Sequence, residues 1–194
     1  MNVVPVRLEG QLLALEPLRI EHAAELYPLA EPEIFRHILD WPQDESFEEL
    51  KAWIGRCMNA PASLDFLMRL RETGEPVGCS AYLEIRPAHR GLEIGRTWIG
   101  RKFQGTRVNP ESKYLLLRHA FETLGAVRVQ FKTDLNNAHS QRAIEKLGAR
   151  REGVLRKYQI RTNGYIRDVV MYSVIAEEWP EVKAALEARL GLDV

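Results

Sequence analysis

Cysteine is scarce in this 194-residue chain: Cys57 and Cys79 are the two present, and neither belongs to a C-x-x-C pair or stands beside a histidine at metal-ligand spacing. That spacing speaks against a disulfide framework, and both thiols are expected as small core fillers in a reducing compartment. The five histidines (His22, His37, His89, His119, His139) form no H-x-x-x-H pair, so no metal is expected. An excess of either charge is also lacking. The 27 basic and 27 acidic residues cancel, which leaves no long-range field to attract nucleic acid or an anionic membrane. The opening run MNVVPVRLEGQLL has neither a charged start nor a long apolar stretch, and no segment approaches the roughly 20 apolar residues of a membrane span. A cytoplasmic protein with no membrane partner is expected. Phosphate and hydrolase signatures are missing too: no G-x-x-x-x-G-K-S/T, G-x-G-x-x-G or G-x-S-x-G occurs.

What is present is the composition of an ordinary globular protein, with 45% hydrophobic, 28% charged and 8% aromatic residues. There is no repeat, low-complexity run or Gly/Ser linker, so one domain over residues 1–194 is expected. Ala23, Leu26, Tyr27 and Ala30 predict a helix over Leu18 to Ala30, kinked at Pro28, and Phe47, Leu50, Ile54 and Cys57 predict another over Ser46 to Met58. Phe66, Met68 and Leu70 alternate, Thr73-Gly74 supplies a turn, and Val77, Cys79, Ala81, Leu83 and Ile85 alternate again as a hairpin. The strand after Arg90 is expected to place Leu92, Ile94 and Trp98 on one face and Glu93, Gly95, Thr97 and Ile99 on the other.

A helix follows, read with Asn109 as its N-cap and Pro110 at its first position. Val127, Val129, Phe131 and Thr133 then form a strand, and a further helix starts at Asn137. Strands Leu155 to Arg161 and Tyr165 to Ile175 are joined by Asn163-Gly164, read as a type I′ turn. Trp179, Val182, Leu186 and Leu190 mark a closing helix. The fold class is α/β (α+β): a mixed, mostly antiparallel twisted sheet flanked by helices, with one strand-helix-strand crossover in its middle.

The crossover carries the chemistry. A helix start presents unpaired N–H groups and the positive end of the helix dipole, and Gly105 lets the backbone fold close to an anion. The turn Gln104 to Asn109 is therefore a candidate pyrophosphate cradle. Taken alone, such a turn is structural more often than functional, and its neighbours decide.

Those neighbours, from Glu93 to Ala149, resemble the GNAT superfamily of acetyl-CoA-dependent N-acetyltransferases, and within it the RimJ/RimL-like branch that modifies protein N-terminal amines. The resemblance covers nearly the whole chain. The family turn Q/R-x-x-G-x-G/A is similar to Gln104, Gly105, Thr106, Arg107, Val108 and Asn109, with Arg107 and Asn109 standing where small residues are usual. Gly105 to Lys113 looks like a G-T-x-x-N-x-E-x-K variant. Asn137-x-x-Ser140-x-x-x-Ile144-x-x-x-Gly148-Ala149 is similar to the second cofactor segment, whose asparagine contacts the pantetheine arm. The resemblance implies acetyl-CoA as cofactor, held by Trp98, Ile99, the turn from Gln104 to Asn109, Lys113, Asn137 and Ser140. It implies a protein N-terminus as acceptor, on the pattern of ribosomal proteins, or else a small amine, and it is compatible with a homodimer. Many relatives keep a tyrosine where Ile144 stands, to protonate the departing thiolate. Ser140, one turn earlier, is the substitute candidate, with a helix-capping hydroxyl as its alternative role.

Attack on a thioester needs a neutral amine, and reference pKa values of about 7.7–8.0 for an N-terminal amine and about 10.4 for lysine call for a base. Glu93 is the candidate, eleven residues before Gln104, an interval shared with related histone acetyltransferases. Its burial would raise its pKa; its alternative is a surface charge paired with Arg90 or Arg96. A strand amide around Trp98 to Gly100 is the candidate donor to the acetyl oxygen. Arg107, Lys113, Arg142 and Lys146 either meet the cofactor phosphates or form a solvated face. Trp41, Trp53 and Tyr158 either line the acceptor cleft or pack in the core. The basic residues between Arg150 and Arg167 are interrupted by Glu152, so direct nucleic-acid binding is not expected. Two other classes stay open: a non-catalytic acyl-CoA-binding regulator, and an RNA- or ribosome-binding module.

Overall fold

The computed structural model describes residues 1–36, 38–39 and 46–192. Its strands are β1 (Leu8–Glu9), β2 (Leu13–Pro17), β3 (Leu64–Leu70), β4 (Pro76–Arg86), β5 (Gly91–Ile99), β6 (Arg128–Asp134), β7 (Arg150–Ile160) and β8 (Ile166–Ile175). Helices α1 (Ala23–Leu26), α2 (Pro32–Phe35) and α3 (Phe47–Met58) precede β3. Helix α4 (Val108–Arg118) joins β5 to β6, α5 (Ala138–Glu145) joins β6 to β7, and α6 (Trp179–Leu190) follows β8. The strands form one sheet in the order β1-β2-β3-β4-β5-β6-β8-β7. Neighbours are antiparallel except β5 and β6, which are parallel and joined through α4, as the alternation patterns anticipate.

Local chemistry explains most elements. Ser46 caps α3, its Oγ accepting the Glu49 N–H at 3.2 Å, and Leu50, Trp53, Ile54 and Cys57 bury the face they share. Trp53 is thus a core residue, and Trp41 and His37 lie outside the described residues. The helix anticipated over Leu18 to Ala30 is instead a chain of short pieces, with single 3-10 turns at Ile20–His22 and Tyr27–Leu29 on either side of α1. Pro28, lacking an N–H, prevents its continuation as one α-helix. Helix α6 buries Trp179, Val182, Leu186 and Leu190, the stripe its spacing predicts.

Three local expectations are corrected. Helix α4 begins at Val108, so Asn109 lies inside it rather than capping it, and Thr106 Oγ1 accepts the Val108 N–H at 3.3 Å. Pro110 fits the first helical turn there, where no N–H finds an intrahelical partner anyway. In the five-residue β7–β8 connection the Arg161 N–H bonds the Tyr165 carbonyl and the Gly164 N–H bonds the Arg161 carbonyl, both at 2.9 Å, so the chain turns through Thr162, Asn163 and Gly164. Gly164 has φ +81° but Asn163 does not share the positive φ that type I′ requires at both centres.

The third correction concerns β5. Cys79 pairs with Trp98 but Ala81 pairs with Gly95, so two residues of β5 oppose Ser80 alone. Arg96 takes the left-handed φ of +49° in this bulge. The extra residue reverses the alternation: Leu92, Ile94 and Ile99 join the core under α4 and α6, while Trp98 packs on the opposite face under α1–α3 with Phe35, Trp53, Leu67 and Cys79. Both cysteines lie in that second core as free thiols.

Candidate functional site

The sheet opens in its middle. Strands β5 and β6 are paired at Gly91–Arg128, Leu92–Val129 and Glu93–Gln130, and beyond Glu93 they separate. A cavity of about 870 Å³ fills the separation and reaches both faces of the sheet. On the α4 side it meets Gln104, Gly105, Thr106, Asn109, Lys113 and α5; on the other it meets Glu93, Gln159 and Arg167.

The α4 side is built of backbone. Gly105 has φ +75°, and the N–H groups of Gly105, Thr106 and Arg107 have no acceptor among the described residues. These consecutive amides stand at the positive end of α4, a geometry suited to an anion. Gln104 fastens the turn to the strand, its Nε2 donating to the Ile99 carbonyl at 3.0 Å. The Gly100 N–H bonds Val77 at 2.9 Å, so it is not the free strand amide anticipated for Trp98 to Gly100. Alternation turns the Trp98 N–H the same way, toward β4, and leaves those of Thr97 and Ile99 facing the side from which β6 has withdrawn.

Twelve of the anticipated residues meet in this cavity: Glu93, Trp98, Ile99, Gln104, Gly105, Thr106, Asn109, Lys113, Asn137, Ser140, Arg142 and Lys146. Arg107 and Val108 do not bring their side chains into it. The Arg107 guanidinium donates to the Leu190 carbonyl at the end of α6, which leaves its backbone N–H as its contribution to the turn, whereas Val108 is buried in the core with its N–H taken by Thr106 Oγ1. Asn137 is the N-cap of α5, its Oδ1 accepting the Ser140 N–H at 3.0 Å. The capping group is thus Asn137, and the Ser140 hydroxyl is not the cap. Ile144, two turns into the motif, is buried against the cavity wall.

Lys113 is buried, with its Nζ donating to Ser80 Oγ at 3.0 Å and to Thr97 Oγ1 beside the bulge. Among the described residues no carboxylate faces this ammonium, and burial lowers its pKa to about 7. Glu93 is 4% exposed on the opposite face. Lys132 Nζ lies 2.9 Å from its Oε2, Gln130 Nε2 donates to the same oxygen at 3.3 Å, and Glu84 receives both donors as well. Burial raises the Glu93 pKa despite the lysine, which acts in the opposite direction. Its partner is Lys132, not Arg90 or Arg96; Arg96 pairs with the buried Asp65 at 2.8 Å. Lys132 also sits 5.5 Å from the ring of the half-exposed Tyr158.

The anticipated residues did not include Lys132, Gln130, Arg167 and Glu111. The first two carried a signal, because Gln130, Lys132 and Asp134 alternate along a strand whose other face, Val129, Phe131 and Thr133, is buried. Glu111 has no exposed surface; its Oε1 accepts the N–H groups of Leu12 (2.7 Å) and Leu13 (3.1 Å). It clamps the β1–β2 turn to the first turn of α4.

The family description "Acetyltransferase (GNAT) domain" matches residues 13–150, which include the turn, the bulged strand and the splay. The chain belongs to this GNAT family. Its fold overlays that of a T. thermophilus protein assigned as an acetyltransferase, at 45% identity and TM-score 0.92, covering 98% of this chain and 100% of the other. YdaF of Bacillus subtilis strain 168, assigned as a ribosomal N-acetyltransferase, is 30% identical over 106 residues, or 55% of this chain and 57% of YdaF. The chain spans less than two thirds of the length of the curated relatives it matches first. RimJ of Mycobacterium smegmatis in complex with CoA-disulfide shares the fold at TM-score 0.78 and 21% identity, covering 97% and 93% of the two chains. As in the GNAT fold generally, the central sheet is mixed and flanked by helices, and no described helix is long and apolar enough to cross a membrane.

Proposed function

We propose that this GNAT protein, as one domain over residues 1–194, is an acetyl-CoA-dependent N-acetyltransferase of the RimJ/RimL-like branch acting on a primary amine, with a protein N-terminal α-amine as its preferred acceptor class. One observation carries the proposal: a single cavity passes through the sheet, with unpaired amides on one side and a buried carboxylate of raised pKa on the other. The residues fit coenzyme A. The amides of Gly105, Thr106 and Arg107 would hold its diphosphate, and the open edge of β5 would lie along its pantetheine arm. The bound cofactor supplies an acetyl group activated as a thioester. The Ile99 or Thr97 N–H would hold the acetyl oxygen, where negative charge develops. Glu93 would take the amine's proton, directly or through water, and its raised pKa makes it a stronger base than an exposed glutamate.

Ser140 remains the proposed proton donor to the thiolate, a role for which a strong acid is not required because a free thiol has a reference pKa of about 8.5. The wider assignment rests on YdaF's assigned activity and on the RimJ fold. Two buried free thiols fit a cytoplasmic location. Acetyl-CoA binding measured by calorimetry, followed by thiol release on peptides with free amino termini, lysine side chains and polyamines, tests the proposal. Turnover on N-terminal amines supports it. Tight cofactor binding with no thiol release on any amine would instead favour the regulator.

A further inference from the structure

The acceptor side of the cavity holds a buried cation that the chain itself does not satisfy. Arg167, on β8, is 6% exposed and lines the cavity, and its Nε has no hydrogen-bond partner. No other described residue accepts a hydrogen bond from its guanidinium, although Lys132 and Arg161, which belong to the same region, each have a carboxylate, Glu93 and Asp134 respectively. Gln159, the cross-strand neighbour of Arg167 on β7, likewise presents a buried Oε1 without a donor. An unpaired buried polar group costs stability, about 1–3 kcal/mol and more when charged, so it is retained where a ligand satisfies it. Here a donor and an acceptor stand side by side in the same cavity.

Their position relative to the chemistry follows from the register. Glu93 is level with Gln130, so the bulge at Gly95–Thr97 is level with the end of β6, and Asp134 pairs there with Val169, two residues from Arg167. The side chains of Glu93, Lys132, Asp134 and Arg167 belong to the face opposite α4. Asp134 and Glu93 favour the Arg167 cation electrostatically, and Arg161 opposes it. With those two anions near, a singly charged group suits the site better than a phosphate dianion.

We propose that the acceptor carries a carboxylate next to its primary amine, and that the Arg167 guanidinium receives this carboxylate while Gln159 Oε1 accepts a neighbouring N–H. The proposal rests on the acetyltransferase reading above and narrows its substrate class. Two sources share this chemistry: the α-carboxylate of a free amino acid, and the side-chain carboxylate of an acidic first residue in a peptide. Planar, bidentate pairing with a carboxylate is what a guanidinium does best.

The test compares hexapeptides beginning Asp and Asn, and free alanine with alaninamide, using wild type and Arg167→Gln. In wild type, kcat/KM is expected to favour one acid over its neutral counterpart by roughly ten- to hundredfold. A preference for Asp-start peptides assigns the peptide source, and a preference for alanine assigns the amino acid. In Arg167→Gln the preference falls toward one, with the loss carried by KM, while acetyl-CoA affinity stays in place and the thermal transition holds or rises, since an unpaired buried charge has been removed. Equal use of acid and neutral acceptors by wild type, or a preference that survives in Arg167→Gln, overturns the proposal while leaving the acetyltransferase reading intact. If no amine is turned over, the function proposal fails. Calorimetric binding of the same acceptors to the CoA-loaded protein then decides this one, with an acid preference lost in Arg167→Gln supporting it and equal or absent binding overturning it.

Discussion

The two mouths of the cavity are made of different material. On the α4 side the wall presents consecutive backbone amides between Gly105 and Arg107, fixed by one glycine and one helix start. On the proposed acceptor side it presents side chains from β5, β6, β7 and β8: Glu93, Lys132, Gln159 and Arg167. A cradle of amides needs contiguous residues, so it leaves a compact motif. A set of side chains gathered by strand pairing leaves none. The same difference predicts that substitutions on the first side change how the cofactor is held, whereas those on the second change turnover and acceptor choice.

The largest expected effect is on the acceptor side. Glu93→Gln should leave acetyl-CoA affinity nearly unchanged and lower kcat by about 10²- to 10⁴-fold, the usual range for a general base. Because the Glu93 pKa is raised, wild-type turnover should already decline on acidification at pH values above the ordinary carboxylate range, as the base form is protonated. That acid limb should be missing in Glu93→Gln, and comparable turnover in the variant would remove Glu93 from the mechanism.

Lys113 sharpens the comparison from the cofactor side. Its folded pKa of about 7 lies below the unfolded value of 10.5, so between these values the unfolded chain binds the extra proton. Stability of the cofactor-free protein should therefore rise with pH across that window, at up to about 1.4 kcal/mol per unit from this group. The advantage of Lys113→Met over wild type should be greatest near and below pH 7 and vanish above 10.5, as read by urea unfolding at several pH values. A difference that ignores pH would contradict an ammonium buried without a carboxylate.

Smaller effects probe the cradle itself. Gly105→Ala places a Cβ on a left-handed residue, at a cost of roughly 1–2 kcal/mol, and calorimetry should show acetyl-CoA affinity reduced by about tenfold. Asn137→Ala removes the α5 cap and should lower stability by about 1 kcal/mol, with a weaker hold on the cofactor. An unchanged melting temperature in Asn137→Ala would argue against the cap.

Much of the fold was legible because local and long-range signals agree. The α6 stripe, the β3–β4 hairpin and the buried face of α3 all follow from spacing and residue type. The candidate turn was legible for the same reason, since Gly105 stands at the position that requires positive φ. Trp98 was placed on the wrong face because the bulge before it uses Arg96 at φ +49°, where sequence patterns lead one to expect glycine or asparagine. The Lys132–Glu93 pair was hidden by distance along the chain: parallel pairing of β5 with β6 brings together residues that adjacency cannot connect. Arg167 looked like one more basic residue in a late run, and only its burial sets it apart.

Glu111 ties the edge of the sheet to the helix that begins at the cradle, and its hold is tight: a Cβ on Gly10 would lie 2.2 Å from its Oε1. Fraying of the amino-terminal hairpin and loosening of the α4 start are therefore one event rather than two. Saturation with coenzyme A should slow hydrogen–deuterium exchange at Leu12 and Leu13, although neither residue lines the cavity that would receive it.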